Sequence, residues 1–227
     1  MYTQTTFKLL LHKLVKTPEY FNPHDLQLAL EHVLTPGLVD PTQIGAFLTA
    51  LHISRLERWP ESLAVATSLL RSRAVPASVE HGDEDFVVEI VGTGGDGHNM
   101  FNVSTTAAIV AAGAGARVIK VCTVITVQYD LKTDVYYAQH GSRASTSSTG
   151  SADLLERLDC LFIPPTPGAM ILFPRIPFQY ILAPHFHPSL AFIAPYRKLL
   201  PFRTMFNVLG PLINPARLKG RLIISPV

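Results

Sequence analysis

Phe86-Val-Val-Glu-Ile-Val-Gly-Thr-Gly-Gly-Asp-Gly97 is the stretch on which the fold turns. Its first six residues form a short apolar, β-branched run, and four glycines within Gly92 to Gly97 end it abruptly. Ser104 to Ala114 follows as a small-residue segment of helical length, leading into a second apolar run, Arg117-Val-Ile-Lys120. Strand, glycine loop, helix and strand make one βαβ unit of a parallel sheet. The alanine content of the helix suits close packing on strands. Ligands of such sheets sit beyond the carboxyl ends of the strands, which is the edge that carries the glycine loop.

Upstream the pattern changes. From Thr5 to about Arg73 apolar residues fall at helical spacing, as in Phe7, Leu10, Leu11 and Leu14, then Leu26, Leu28, Leu30 and Val33. Asn22 before Pro23 and Asp40 before Pro41 each pair an N-cap residue with proline at the first helical position, so about four short helices are predicted. The expected organisation is a small helical domain over 1–73, a linker over 74–85 and an α/β domain over 86–227.

Composition bounds the function. The chain has 227 residues, 48% of them hydrophobic and 16% charged, enough for a substantial core. Nineteen basic and 17 acidic residues leave a net charge of +2 with no Lys/Arg block, so nucleic-acid binding has no electrostatic support. Cys122 and Cys160 are too few for a disulfide framework or a zinc site, and a cytoplasmic setting is expected. The apolar window Ala107 to Val127 contains Arg117 and Lys120, and a charge at bilayer depth costs about 2.5 to 3.5 kcal/mol, so a buried segment rather than a membrane span is expected.

The glycine loop lets backbone N–H groups converge on an anion, and the following helix start adds a partial positive charge. Gly92, Gly94 and Gly97 also satisfy the dinucleotide spacing GxGxxG. A dinucleotide site wants a carboxylate at the end of the second strand; Lys120 stands there instead and suits phosphate. Asn102-Val-Ser-Thr105 brings an amide and two hydroxyls to the helix start, able to hold a phosphate or a hydrated magnesium ion, or simply to cap the helix.

Taken in order, Gly92-Thr-Gly-Gly-Asp-Gly97, Asn102-Val-Ser-Thr105, Lys120, His140-Gly-Ser-Arg-Ala-Ser145 and Gly150-Ser-Ala-Asp153 resemble the motifs of anthranilate phosphoribosyltransferases. Ala183-Pro-His-Phe-His-Pro188, Ala194-Pro-Tyr-Arg197 and Arg203-Thr-Met-Phe-Asn-Val-Leu-Gly-Pro-Leu-Ile-Asn-Pro215 look like the same family's downstream blocks. The resemblance implies the nucleoside phosphorylase/phosphoribosyltransferase type of α/β domain behind a helical domain through which two copies dimerise. It implies magnesium-dependent displacement of pyrophosphate from 5-phosphoribosyl-1-pyrophosphate by the amine of anthranilate, in tryptophan synthesis. By resemblance Gly92, Gly95, Asp96, Asn102, Val103, Ser104, Thr105, Lys120, Ser145, Thr146, Ser147 and Ser151 bind phosphoribosyl pyrophosphate, with Ser104 also a magnesium ligand. Gly92, His140, Ser142 and Arg197 face anthranilate, and the planar fork of Arg197 suits its carboxylate. Lone histidines such as His185 and His187 are more often structural than catalytic. The alternatives are a pyrimidine nucleoside phosphorylase-like enzyme and a non-catalytic dimerising fragment.

The chain departs from the family pattern in several places. Ser142 stands where asparagine is usual, and Met100 where threonine or serine is usual, which shortens one polar contact and removes another. Lys120 and His140, adjacent in the family, are separated by Val121 to Gln139. These residues permit codons that begin GTATGT at Val121-Cys122, contain CTGAC across Thr133-Asp134 and end CAG at Gln139, which resemble the signals of a short fungal intron. A retained intron is therefore expected. The family's sheet also continues for on the order of 100 residues beyond Pro215 and carries an Asp-Glu pair for magnesium, so an incomplete, inactive chain is expected.

Overall fold

A computed structural model of the chain describes residues 2–79, 86–92, 102–122, 128–129, 136–137, 155, 157–159, 171–173, 177–216, 218 and 220–224. The chain divides into two compact units: Met1–Arg73 with Ser189–Ile213, and Ala74–Pro188 with Asn214–Val227.

The first unit is helical. Helices α1 (Gln4–Lys16), α2 (Pro23–Val33), α3 (Pro41–Ser54) and α4 (Pro60–Ser72) fall where the apolar periodicity predicts them. The caps explain where they begin. Asn22 Oδ1 accepts from the N–H groups of His24 and Asp25 at 2.9 and 3.0 Å, while Asp25 Oδ2 accepts from Asn22 N–H at 3.0 Å, a capping box ahead of Pro23. Asp40 precedes Pro41 in the same way, and its N–H donates to Gln43 Oε1 at 3.4 Å. The apolar faces meet in a core of Phe7, Leu14, Leu26, Leu30, Ile44, Phe47 and Leu48, all fully buried. Each such side chain contributes about 1.5 to 3 kcal/mol of burial.

Three later helices run through the downstream motif blocks: α6 (Ala183–Phe186), α7 (Pro188–Lys198) and α8 (Phe206–Leu209). The segment Ser189–Ile213 belongs to the helical unit. Glu57 is one of its anchors there. This buried carboxylate accepts from Met205 N–H at 2.8 Å through Oε2 and pairs with His52 Nδ1 at 2.8 Å through Oε1. The His52 ring in turn stacks on Phe202 at 4.3 Å.

The second unit is built on a four-stranded parallel sheet of order β7-β3-β2-β8, from β2 (Val87–Gly92), β3 (Arg117–Cys122), β7 (Phe178–Leu182) and β8 (Gly220–Ile224). Helix α5 (Val103–Gly113) joins β2 to β3, which makes the predicted βαβ unit. Its alanines let it lie close: Ala108 and Ala112 pack on Ile90 and Val118. The opposite face of the sheet buries Val87, Ile119 and Ile181 against Ala77, Ala183, Phe186 and Ala216. The turn from α5 into β3 requires Gly115, whose φ is +100°. Gly115 N–H bonds the Ala112 carbonyl at 3.1 Å and Ala116 N–H the Ala111 carbonyl at 3.0 Å, a pairing that satisfies the last carbonyls of the helix.

Two shorter pairings complete the described strands. β1 (Ala77–Val79), within the span read as a linker, runs parallel to β6 (Ile171–Phe173). β4 (Gln128–Tyr129) and β5 (Tyr136–Tyr137) pair antiparallel inside the Val121 to Gln139 interruption. The interruption begins within a strand, since β3 runs on past Lys120 and sets Val121 and Cys122 opposite Ile181 and Leu182 of β7.

Candidate functional site

The carboxyl edge of β2 and β3 and the first turn of α5 carry six of the sequence-selected residues, Gly92, Asn102, Val103, Ser104, Thr105 and Lys120. Gly92 ends β2, and Asn102 caps α5 through its Oδ1, which accepts from Thr105 N–H at 3.2 Å. Capping and ligand binding are compatible here, because one oxygen closes the helix while Ser104 presents a separate hydroxyl. Ser104 Oγ lies 3.5 Å from Asn102 Oδ1. Val103 is exposed and Thr105 fully buried, so Ser104 is the hydroxyl of this turn nearer to solvent.

Lys120 ties the two strands and the helix into one junction. Its side chain is only 2% exposed, and Nζ donates to the Ile90 carbonyl at 3.1 Å and to Ser104 Oγ at 2.9 Å. The ammonium is thereby fixed at the strand ends. In a site of low dielectric that charge acts on a nearby anion far more strongly than it would in water. Together with the start of α5 it gives this edge of the sheet a positive bias.

Sequence reasoning passed over a second buried charge. Glu89, fully buried in the middle of β2, pairs with Arg221 Nε of β8 at 2.7 Å. Loss of solvent raises its pKa above the ordinary carboxylate value, while Arg221, Asn214 and Lys120 each pull it down. A lone carboxylate in an apolar strand was the available signal. Its partner lies too far along the chain to be guessed.

Arg197 belongs to the helical unit, in the last turn of α7, where a cation also favours the helix dipole. Its guanidinium stands 5.2 Å over the Phe206 ring and donates through Nη2 to Asn207 Oδ1 at 3.3 Å. Burial pulls its pKa down to about 10, so it remains charged at neutral pH. His185 is half-buried with its pKa lowered by loss of solvent, and His187 is buried with its N–H on the Ala183 carbonyl at 2.8 Å. Gly95, Asp96, His140, Ser142, Ser145, Thr146, Ser147 and Ser151 lie outside the described residues.

Among the described residues no group of three or more His, Cys, Asp or Glu side chains could hold a metal ion, and no helix is long and apolar enough to cross a membrane.

The model of the glycosyl transferase family a/b domain matches residues 84–123 and 132–225. The residues it passes over, 124–131, all fall inside the interruption read from the sequence. The anthranilate phosphoribosyltransferase of Schizosaccharomyces pombe is 39% identical over 218 residues, covering 95% of this chain and 56% of the relative. That of Dehalococcoides mccartyi is 39% identical over 190 residues, covering 84% and 48%. Among solved structures, anthranilate phosphoribosyltransferase from Saccharomyces cerevisiae in complex with PRPP and Mg superposes with a TM-score of 0.76 at 27% identity, covering 99% of this chain and 59% of that one. The enzyme from Thermus thermophilus does so with a TM-score of 0.68 at 29% identity, covering 95% and 58%. The chain thus spans about half the length of the curated relatives it matches. The chain belongs to the glycosyl transferase family a/b domain, whose model matches more than half of it.

Proposed function

We propose that this chain supplies the phosphoribosyl pyrophosphate-binding edge and the anthranilate-binding arginine of an anthranilate phosphoribosyltransferase acting in tryptophan synthesis. The observation that carries the reading is the Lys120–Ser104 contact, which fixes a buried cation and a hydroxyl at the strand ends beside Gly92. The curated relatives and the solved structures named above bear that activity in their names, one of the structures holding PRPP and Mg and a further yeast structure 4-fluoroanthranilate. They do not favour the phosphorylase alternative.

In the proposed reaction the anthranilate amine bonds to the anomeric carbon as the bond to pyrophosphate breaks, and the amine proton leaves to solvent or to the departing pyrophosphate. No covalent enzyme intermediate is required. The chain's contribution is to hold the two reactants in line and to meet the charge that develops on the leaving group. Gly92, Gly95, Asp96, Asn102, Val103, Ser104, Thr105 and Lys120, with Ser145, Thr146, Ser147 and Ser151, are the proposed phosphoribosyl pyrophosphate contacts. Gly92, His140, Ser142 and Arg197 are those for anthranilate.

Ser104 is a neutral oxygen donor of the kind magnesium accepts, whereas the described residues supply no acidic cluster that would retain the ion alone. Ser104 is therefore proposed to join an ion carried in on diphosphate oxygens, and the ion would supply charge neutralisation there. Dimerisation through α1 to α4, by family resemblance, and a cytoplasmic location, from the sparse cysteines, complete the proposal.

Calorimetric titration of the chain with phosphoribosyl pyrophosphate and magnesium, followed by an anthranilate fluorescence assay, tests it. Saturable binding that is competed by pyrophosphate is expected. Binding of a pyrimidine nucleoside with phosphate, and none of phosphoribosyl pyrophosphate, would reverse the assignment.

A further inference from the structure

The turn between α7 and α8 holds one side-chain oxygen among three donors. Asn207 Oδ1 accepts from Thr204 N–H at 3.0 Å, from Thr204 Oγ at 3.3 Å and from Arg197 Nη2 at 3.3 Å. Asn207 N–H donates back to the Thr204 carbonyl at 2.9 Å, which fixes the asparagine whether or not a ligand is present. On its other side the guanidinium has the Phe206 ring, 5.2 Å from centroid to Cζ. Nε of Arg197 is buried and has no hydrogen-bond partner among the described residues.

A buried guanidinium nitrogen without an acceptor is costly, and structures rarely leave one unless another group is to supply the acceptor. We infer that Asn207 is a positioning residue for the substrate carboxylate: its amide oxygen holds Arg197 by one nitrogen and leaves Nε unclaimed for an incoming carboxylate. The inference rests on the anthranilate reading of Arg197 and goes further by naming what orients it. The choice of side chain is part of the argument. An amide oxygen holds a guanidinium without neutralising it, whereas an aspartate in the same place would pair with the cation and repel a second carboxylate. The ring beneath restricts the plane of the fork.

The test compares the full chain with N207D in calorimetric titrations of anthranilate and of aniline, which has the amine and ring without the carboxylate. Aspartate keeps the oxygen that Thr204 requires, so the thermal unfolding midpoint should hold. Anthranilate affinity should fall by about tenfold or more while aniline affinity stays level. If N207D does not fold, N207S carries the test, because its hydroxyl can serve Thr204 but is too short for Arg197; the same selective loss is expected. Unchanged anthranilate affinity in the folded variant would reduce Asn207 to a turn residue and overturn the inference while leaving the reading of Arg197 intact. A wild-type chain that does not prefer anthranilate to aniline would overturn that reading and the inference with it.

Discussion

Glu89 on β2 lies directly opposite Arg221 on β8, and a 2.7 Å ion pair closes between them although 132 residues separate them in the chain. The carboxylate is fully buried and the arginine reaches solvent. Removing one partner is therefore not equivalent to removing the other.

Arg221→Met strands a buried carboxylate and is expected to cost about 3 kcal/mol at neutral pH. Glu89→Gln frees an arginine that can turn to water and should cost less than half as much. The pH dependence has a definite sign. Glu89 has a folded pKa above its unfolded value, so the native state holds the proton to higher pH and loses stability as pH rises through that folded pKa. The Arg221→Met deficit should thus be smaller at about pH 5 than at about pH 8, whereas the Glu89→Gln deficit, set against a wild type that loses stability over that rise, should shrink. Urea unfolding at the two pH values decides this; an equal cost for both variants would refute it.

Glu57 joins two stretches of the helical unit that are distant in sequence. Glu57→Ala removes the acceptor of the buried Met205 N–H and the partner of His52 together, and should destabilise by about 2 kcal/mol. Glu57→Gln keeps an acceptor for Met205 and should lose about half of that. Proteolysis should cut Ser189–Ile213 faster in Glu57→Ala than in wild type. Equal cutting of the two would show that the apolar packing of Met205 and Phe206 holds the segment unaided.

What was legible in the sequence follows the range of each signal. The four helices announced themselves through apolar spacing, two of them with a cap residue before proline at Asn22 and Asp40, and the βαβ unit through a glycine run between β-branched strands. β1 is three residues long, too short for alternation to register, so its span read as a linker. Neither the place of β8 beside β2 nor the membership of Ser189–Ile213 in the helical unit has a local signature. Each depends on a distant partner, Arg221 for Glu89 and Met205 for Glu57. At the site, Lys120 and Ser104, each named from the sequence, stand 2.9 Å apart, while Asn207 was quoted within a motif and given no role. Its function is visible only once Thr204 and Arg197 meet on one oxygen.

The interruption after Lys120 makes a prediction at the level of the message. With Val121 to Gln139 removed, His140 and Gly141 would follow Lys120 and take the ladder positions that Val121 and Cys122 now hold opposite Ile181 and Leu182. The strand would survive. The mature transcript is expected to lack these codons, and protein without them should bind phosphoribosyl pyrophosphate at least about tenfold more tightly, since misplacing a catalytic group by about 1 Å can cost about a hundredfold. Transcripts that uniformly keep the segment, with no gain on deleting it, would make it a genuine loop of this protein.

The last prediction separates the two members of the Lys120–Ser104 contact. Lys120→Met fills similar space and removes the positive charge of the junction, leaving the Ile90 carbonyl and Ser104 Oγ without this donor. Pyrophosphate affinity should fall by about thirtyfold, the worth of one charged hydrogen bond of about 2 kcal/mol. Ser104→Ala leaves the ammonium in place on Ile90 and removes a neutral ligand, so magnesium-free pyrophosphate should bind within about threefold of wild type. With magnesium present the same variant should fall further behind, because the hydroxyl is the oxygen proposed to join the ion. Calorimetry with and without magnesium reads all four combinations. If Ser104→Ala lost the same factor in both conditions, Ser104 would serve the phosphates or Lys120 alone, and its assignment to magnesium would be withdrawn.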